Sequence, residues 1–183
     1  MRIETPLSEK EIRGLKAGDT VLLSDIIYTA RDIAHKLLTD MINRDEQLPF
    51  PIEGAVIYYT GPSPSPPGKV IGSAGPTTSY RMDPFTPTLL KHGFKGTIGK
   101  GPRSKEVVES MVKNCALYLG ATGGAAALMA CSVTEARVIA FEDLGTEALR
   151  ELVVRDMPVI VINDCYGNDL YTEGKSKYKS FQD

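Results

Sequence analysis

The sequence is poor in the residues that build metal centres and disulfide frameworks. Its 183 residues include three cysteines, Cys115, Cys131 and Cys165, and two histidines, His35 and His92. The cysteines lie far apart without a C-x-x-C pair, and their odd number argues against a complete disulfide framework. Cys115 and Cys131 lie in apolar or small-residue stretches and are predicted to be buried, whereas Cys165 lies in a polar turn and is the exception. We predict no metal site in this chain.

The sequence also lacks a long apolar run and an excess of basic residues. No apolar stretch approaches the roughly 20 residues that cross a bilayer, and the first residues have no apolar signal core. We therefore expect a cytoplasmic protein that does not bind membranes. Lys and Arg number 21 and Asp and Glu number 23, so the net charge of −2 argues against nucleic-acid binding. A pocket can still concentrate a few cations around an anionic small molecule.

Short apolar segments alternate with amphipathic ones along the chain. The predicted strands are 18–24, 55–59, 96–98, 115–119, 137–141 and 158–162. The predicted helices are 30–43, 84–92, 104–113 and 146–154. This alternation predicts a single α/β domain over residues 1–183, without internal repeats. The polar tail from residue 167 is expected to be loosely held or to cover a partner.

Residues 61–84 form a long segment that is rich in proline and glycine. A loop of this length inside a compact domain is usually functional or disordered. The half that follows Gly68 mixes apolar, hydroxyl and charged residues, which is not a low-complexity composition. We therefore predict an ordered binding loop.

A first candidate site lies in TARDIAHK, residues 29–36. Arg31 and His35 are four residues apart and share one helical face, and Asp32 lies where a helix N-terminus favours a carboxylate. An arginine beside a helix N-terminus can bind a carboxylate, because the helix dipole and the guanidinium act together. The alternative is an exposed arginine followed by an acidic helix cap.

Two further candidate segments are GSAGPTTSYRMD (72–83) and GKG (99–101). In the first, glycines permit close approach to a ligand, the hydroxyls of Thr77 and Thr78 can hold an oxyanion, and Arg81 can bind a carboxylate through two hydrogen bonds. In the second, Lys100 directly follows a predicted strand, a usual position for ligand contacts in α/β sheets. An ordinary turn is the alternative for both. Together with Arg31, these segments supply about as many cations as a small dicarboxylate needs.

The order of these segments resembles one known family. ARDIAHK (30–36), YTGP (59–62), GSAGPTTSYRMD (72–83), GKG (99–101) and INDCYGNDLY (162–171) are similar to the C-terminal domain of class I, iron–sulfur-dependent fumarases and to the β subunit of L-tartrate dehydratase. The segments span most of the chain and are specific when taken together. The resemblance implies a swivelling β/β/α fold and a hydro-lyase that adds water to a C4 dicarboxylate or removes it.

The resemblance also implies roles for single residues. The implied substrate-binding residues are Arg31, Thr78, Arg81 and Lys100. Thr77 would be the catalytic base, with Thr78 as the alternative, and Asp32 and His35 would support the site. An unperturbed threonine is a very poor base, so this role needs strong help from the cations around it.

A partner chain is implied as well. In the family, a larger subunit or domain holds a four-iron four-sulfur cluster through three cysteines, and one iron acts as a Lewis acid. We therefore expect the cluster on an α subunit and not on this chain, and we expect the general acid to come from the same partner. The expected assembly is an α2β2 heterotetramer, or a homodimer of the isolated chain. We expect no activity without the partner.

The predicted function is the β subunit of a two-chain fumarate hydratase, which interconverts fumarate and L-malate. The β subunit of L-tartrate dehydratase is the nearest alternative, because nothing in the sequence shows what the additional hydroxyl of tartrate would contact. Alternatives of other classes are a non-catalytic module that binds dicarboxylates and a self-contained enzyme that uses Cys165 or His35. Dependence on a partner discriminates among them, since a binding module should bind a dicarboxylate alone.

Overall fold

The computed structural model describes residues 1–121, 124 and 126–179. The strands are β1 (Arg2–Glu4), β2 (Thr20–Thr29), β3 (Val56–Tyr58), β4 (Gly96–Gly99), β5 (Leu117–Gly120), β6 (Val133–Ala140) and β7 (Leu149–Asn163). The helices are α1 (Glu9–Arg13), α2 (Asp32–Asn43), α3 (Thr86–Lys91), α4 (Lys105–Asn114), α5 (Ala126–Cys131) and α6 (Leu170–Lys179). Two 3₁₀ helices cover Ser79–Met82 and Glu142–Glu147. The predicted α/β class is confirmed.

Strands β1 to β5 are parallel neighbours, and β7 joins the two sides of the sheet. β7 runs antiparallel to β5 and β6, and it also pairs with β2 from Thr20↔Ile160 to Thr29↔Arg150. Strands β2, β3, β4, β5 and β7 therefore form a closed ring. The carboxyl ends of β2 to β5 all lie at one edge of this ring, because these four strands are parallel.

Side chains of the ring strands alternate between two buried clusters, as the two-residue period of a strand requires. Val56 and Leu119 face the first cluster, which collects residues of the ring together with β1 and β6. Ile57 and Tyr118 face the second cluster, which lies between the ring and helices α2, α3 and α4. The ring thus has a buried cluster on each of its faces, and the swivelling β/β/α type that the resemblance implies stays a prediction.

Helices α2 and α4 begin where the sequence provides a start signal. The Ser104 side chain caps α4 by accepting a hydrogen bond from the backbone N–H of Val107. In α2, Asp32 lies in the first turn, and Ala34, His35 and Leu38 form the buried face. None of the helices in the described part of the chain is long and apolar enough to cross a membrane.

The prediction of a helix at 146–154 was wrong. Leu149–Asn163 is one strand of 15 residues, and Glu142–Glu147 before it is a 3₁₀ helix. Leu152 and Val154 are buried while Val153 between them is only partly buried, a strand alternation that the short segment does not separate from a helical one. Pairing with both β2 and β6 decides in favour of the strand.

The two ends of the chain also differ from the predictions. The sequence indicated neither β1 nor α1, although Ser8 and Glu11 form a capping box at the start of α1. The tail from residue 167, predicted to be loosely held or to cover a partner, contains α6, and Asp169 accepts hydrogen bonds from the Tyr171 N–H and the Thr172 hydroxyl at its start. A role in covering a partner stays a prediction. Residues 180–183 lie outside the described residues.

Candidate functional site

The predicted site residues meet at the edge of the ring where the parallel strands end. Arg31 and Asp32 follow β2, Thr60 follows β3, and Lys100 follows β4. The segment 77–81, called here the TTSYR loop, comes back to the same edge, since Thr78 pairs with Lys100 as an isolated parallel bridge. In α/β folds with open or closed sheets, ligand sites usually lie at the carboxyl ends of the parallel strands.

Asp32 lies between the two arginines. Its Oδ2 atom is 3.0 Å from Nη1 of Arg81 and 3.9 Å from Nε of Arg31. The Oε1 atom of Glu147 lies 3.2 Å from Nη2 of Arg31. The carboxylates thus offset the repulsion between two neighbouring guanidinium groups. We call Arg31, Asp32, Arg81 and Glu147 the arginine cluster.

Thr77 is in direct contact with the arginine cluster. Nη2 of Arg81 donates a hydrogen bond to Oγ1 of Thr77 over 2.5 Å, and the Thr77 N–H donates to the carbonyl of Tyr59 over 2.7 Å. A guanidinium that donates to a hydroxyl oxygen stabilises negative charge on that oxygen. The arrangement therefore provides part of the help that a threonine base needs.

Lys100 lies on the other side of the TTSYR loop. Its backbone N–H donates to the carbonyl of Thr77 over 3.2 Å, and its carbonyl accepts from the Ser79 N–H over 2.9 Å. The Lys100 side chain is exposed. Within the described residues it takes part in none of the ion pairs, so its ammonium group is available to a ligand.

Two glycines let the site loops approach each other. A Cβ atom at Gly61 would lie 2.9 Å from Nη1 of Arg31 and 3.2 Å from the carbonyl of Thr146. A Cβ atom at Gly99 would collide with the Ser79 hydroxyl. Any larger residue at these positions would displace the Arg31 side chain or the TTSYR loop.

Hydrogen bonds hold the later part of the loop 61–84 against the end of β3 and the start of α5. The Thr60 hydroxyl donates to the carbonyl of Gly75 over 2.8 Å, and the Tyr58 hydroxyl donates to the carbonyl of Ala74 over 2.5 Å. The Ala74 N–H donates to the carbonyl of Ala126 at the start of α5. These contacts fix the stretch that leads into Thr77.

His35 lies beneath the arginine cluster and is completely buried. Its Nδ1 lies 2.9 Å from the Arg31 carbonyl and must donate to it, which leaves Nε2 as an acceptor without a hydrogen-bond partner among the described residues. Burial lowers the pKa of His35 to about 4, although the hydrogen bond to Arg31 acts in the opposite direction. The imidazole ring of His35 is therefore neutral at pH 7, and its hydrogen bond holds the backbone of Arg31 in place.

The buried His35 predicts a pH-dependent stability. The pKa of a histidine in an unfolded chain is about 6.5, so the stabilisation is complete above that pH and is lost as the pH falls towards 4. We expect the free energy of unfolding to fall by about 3 kcal/mol from this residue alone between pH 7 and pH 4. Urea denaturation at both pH values measures it, and His35→Gln should remove this part of the dependence.

The exposed His92 provides the matched control for this prediction. His92→Gln should keep the full pH dependence of the wild-type chain. Equal losses of stability in wild type and His35→Gln between pH 7 and pH 4 would show that the ring is not held neutral by the fold.

The sequence did not indicate Glu147 or Arg103 as site residues. Glu147 was assigned to the predicted helix at 146–154, which does not form. Arg31, its ion-pair partner, lies more than a hundred residues away in the sequence. Arg103 lies only two residues beyond GKG but points into the interior, with 8% of its surface exposed. The signal that the sequence offered for a site residue was a polar residue next to a loop at the end of a strand.

The cysteines do not form a metal or catalytic centre in the described part of the chain. Cys115 and Cys165 are buried, whereas Cys131 is exposed, so the predictions for Cys131 and Cys165 were wrong. Burial raises the pKa of the Cys165 thiol to about 11, which makes it a poor nucleophile. Among the described residues, no group of three His, Cys, Asp or Glu side chains is placed to hold a metal ion. An iron–sulfur cluster therefore finds no ligand set in these residues.

Comparison with known proteins adds a family to this geometry. The model of the fumarase C-terminus matches residues 1–174. Fumarate hydratase 2 of Leishmania major is 39% identical over 158 residues, which are 85% of this chain and 28% of that protein. The anaerobic class I fumarate hydratase of Escherichia coli K12 is 38% identical over 153 residues, 82% of this chain and 28% of that enzyme. This chain thus spans less than a third of these two enzymes.

A third relative has nearly the same length as this chain. It comes from Methanocaldococcus jannaschii and bears the provisional name L(+)-tartrate dehydratase subunit beta. It is 38% identical over 177 residues, which cover 93% of this chain and 91% of that protein. Similar sequences therefore occur both within longer enzymes and as a chain of their own.

Proposed function

Because this chain belongs to the family of the fumarase C-terminus, we propose that it is the β subunit of a two-chain fumarate hydratase. The observation that carries the proposal is the arginine cluster, with Thr77 in contact and Lys100 beside it, at the end of the parallel strands. The named fumarate hydratases and the tartrate dehydratase subunit among its relatives support a hydro-lyase. A separate chain of the same length supports a two-chain enzyme.

The charges of the site suit a dicarboxylate. Arg31, Arg81 and Lys100 provide three positive charges, and Asp32 and Glu147 provide two negative ones, so the net charge is +1 before a substrate binds. The arginines keep further N–H donors for a ligand, because each guanidinium has five. We assign one substrate carboxylate to the arginines and the other to Lys100, with the Thr78 hydroxyl as an additional donor.

Thr77 is the group that we assign to proton transfer. Its Oγ1 accepts a hydrogen bond from Arg81, so an alkoxide there would be stabilised by a positive charge at 2.5 Å. In dehydration the Thr77 alkoxide would take a proton from the substrate carbon next to a carboxylate and become a hydroxyl, and in hydration this hydroxyl would return the proton to the carbon. Arg81 would then bind substrate and base together.

In this proposal the partner holds the iron–sulfur cluster, because the described residues of this chain offer no ligand set for it. When bound there, the cluster supplies a Lewis acid for the substrate hydroxyl. The side chains of Arg31 and Arg81 are 25% and 33% exposed, so this edge of the chain remains open to solvent. We propose that the cluster-bearing α subunit covers it and excludes water from the reaction. The cytoplasmic location and the α2β2 assembly stay predictions.

The test of the proposed function is anaerobic turnover by this chain with and without its cluster-bearing partner. We expect hydration of fumarate with both chains present and none with either chain alone. Fumarate hydration by the isolated chain would contradict the two-chain proposal. An absence of turnover with a reconstituted cluster would favour a non-catalytic dicarboxylate-binding module.

L-Tartrate dehydration is the second candidate. The relative from Methanocaldococcus jannaschii, which this chain covers over 91% of its length, is named for tartrate. The same assay with L-tartrate distinguishes the two substrates, because the residues assigned here bind only the carboxylates that both share. Turnover of tartrate alone would retain the roles of these residues and change the substrate.

Lys100→Met tests the second carboxylate contact. We expect KM to rise about 10- to 100-fold, as for the loss of a hydrogen bond to a charged group. The free energy of unfolding should change by less than about 0.5 kcal/mol, since the side chain is exposed. Lys16→Met, at an exposed lysine on another loop, is the control and should leave both quantities unchanged. A lower thermal midpoint with unchanged KM would mark Lys100 as structural.

A further inference from the structure

A buried guanidinium lies beneath the candidate site. The Arg103 side chain has no exposed surface, and its Nε donates to Oδ1 of Asp83 over 2.7 Å. Nη1 donates to the hydroxyls of Thr97 (3.1 Å) and Tyr59 (3.4 Å), and Nη2 donates to that of Thr86 (2.7 Å). All three nitrogens of the group therefore have partners inside the protein.

Aromatic rings enclose the same group. The guanidinium carbon of Arg103 lies 5.3 Å from the ring centre of Tyr59 and 5.1 Å from that of Tyr118. Both distances are within the range of cation–π contacts. The position of the side chain is thus set by the rings as well as by the hydrogen bonds.

Two of the residues around Arg103, Asp83 and Tyr118, lead to the segments that carry the site residues. Asp83 follows directly on the 3₁₀ helix that bears Arg81, and its Oδ2 accepts from the Ser104 N–H over 2.7 Å. Tyr118 donates to the carbonyl of Gly101 over 2.8 Å and contacts the Ser79 hydroxyl over 2.9 Å. Arg103 therefore connects the TTSYR loop with residues 99–101, called here the GKG loop.

Stability alone does not account for this arrangement. Removing two charges from water costs several kcal/mol per ion, and replacing a buried ion pair by apolar residues is often neutral or stabilising. An apolar side chain in place of Arg103 would leave the bridge between Thr78 and Lys100 and the contacts of Tyr118 with Gly101 and Ser79, but it would remove the charged contact with Asp83. The directional hydrogen bonds of Arg103, by contrast, fix the position of one loop relative to the other.

We propose that Arg103 is a positioning residue that fixes the TTSYR loop against the GKG loop. Through Asp83 it sets the place of Arg81 and Thr77, and through its own backbone it sets the place of Lys100. Both ends of one dicarboxylate can then be bound at the same time. The role in substrate binding rests on the proposed function, whereas the connection between the loops does not.

Hydrogen exchange in the full chain tests the connection without any assumption about function. Arg103→Lys keeps the charge but loses the planar fork. We expect at least tenfold faster exchange at the backbone N–H groups of Ser79 and Lys100, which bond across the two loops. Exchange in strand β3 should change far less. A uniform increase over the chain, or none at these two groups, would overturn the proposal.

A matched control separates positioning from general destabilisation. Val107→Ala truncates a fully buried side chain in α4 and should lower the thermal midpoint without selective exchange at Ser79 and Lys100. If Arg103→Lys does not fold, Asp83→Asn replaces it, because it removes the negative charge and leaves one acceptor oxygen for the two donors, Arg103 Nε and the Ser104 N–H. It should give at least threefold faster exchange at the same two groups.

Kinetics of the assembled two-chain enzyme supply the second readout. We expect Arg103→Lys to raise KM at least tenfold, whereas Val107→Ala, assayed below its thermal midpoint, should leave KM within twofold. Equal KM changes in both variants would make Arg103 merely structural. If the wild-type assembly turns over neither fumarate nor L-tartrate, the proposed function fails, and the exchange data still decide whether Arg103 connects the loops.

Discussion

Arg81→Ala is expected to lower kcat/KM of the assembled enzyme by about 30- to 5,000-fold, equivalent to about 2–5 kcal/mol of lost transition-state stabilisation. Arg81 makes two contacts in the site, since Nη1 pairs with Asp32 while Nη2 donates a hydrogen bond to Thr77. Its removal takes away a carboxylate contact and the charge beside the base. Steady-state kinetics with fumarate and L-tartrate measure the effect.

Two comparison variants sharpen this prediction. Arg81→Lys keeps a positive charge but cannot bond two groups in one plane, so we expect it to recover only part of the activity. Arg44→Ala removes an exposed arginine whose ion pair is with Glu46, and it should behave as wild type. A loss below threefold for Arg81→Ala would remove Arg81 from the site.

Thr77→Ala is expected to lower kcat by about 10²- to 10⁴-fold, the range for loss of a general base. KM should change little, because the arginines and Lys100 remain to bind the carboxylates. Thr77→Ser keeps a hydroxyl in reach of Arg81 and should retain most of the turnover. Rapid-quench or steady-state assays of the assembled enzyme give kcat and KM separately.

Thr78→Ala decides between the two threonines. In the structure it is Thr77 whose hydroxyl accepts from Arg81, while Thr78 pairs through its backbone with Lys100. We therefore expect Thr78→Ala to act mainly on KM. A large fall in kcat for Thr78→Ala with normal turnover for Thr77→Ala would transfer the role of base to Thr78.

The hydrophobic pattern of the sequence was sufficient to predict the helices and strands whose structure depends on local sequence. The apolar run at 55–59 and the amphipathic segment at 30–43 correspond to β3 and α2. Of the three candidate segments, only GKG was predicted to follow a strand directly. Their meeting at one edge is a finding of the structure and results from the parallel direction of β2 to β5. The roles of the residues in them came from the family resemblance and stay predictions.

The remaining features depend on contacts between distant parts of the chain. Whether 149–154 forms a helix or a strand is decided by pairing with β2, more than a hundred residues earlier. The partner of Arg31 was missed for the same reason, since Glu147 is placed by the segment that leads into β7. The buried position of Arg103 could not be predicted either, because a charged residue beside a loop is usually solvated.

The closure of the ring by β7 has a consequence for how the chain folds. Residues 20 and 160 are paired partners, so the ring contains contacts of very long sequence separation. Such contacts slow folding, because chain entropy is lost before they form. The ion pair between Glu147 and Arg31 forms only when β2 and β7 have paired. Pulse-labelled hydrogen exchange during refolding should show β2 and β7 protected together and late. Synthesis of β7, rather than of the loops that bear the arginines, would thus determine when a competent binding edge can form.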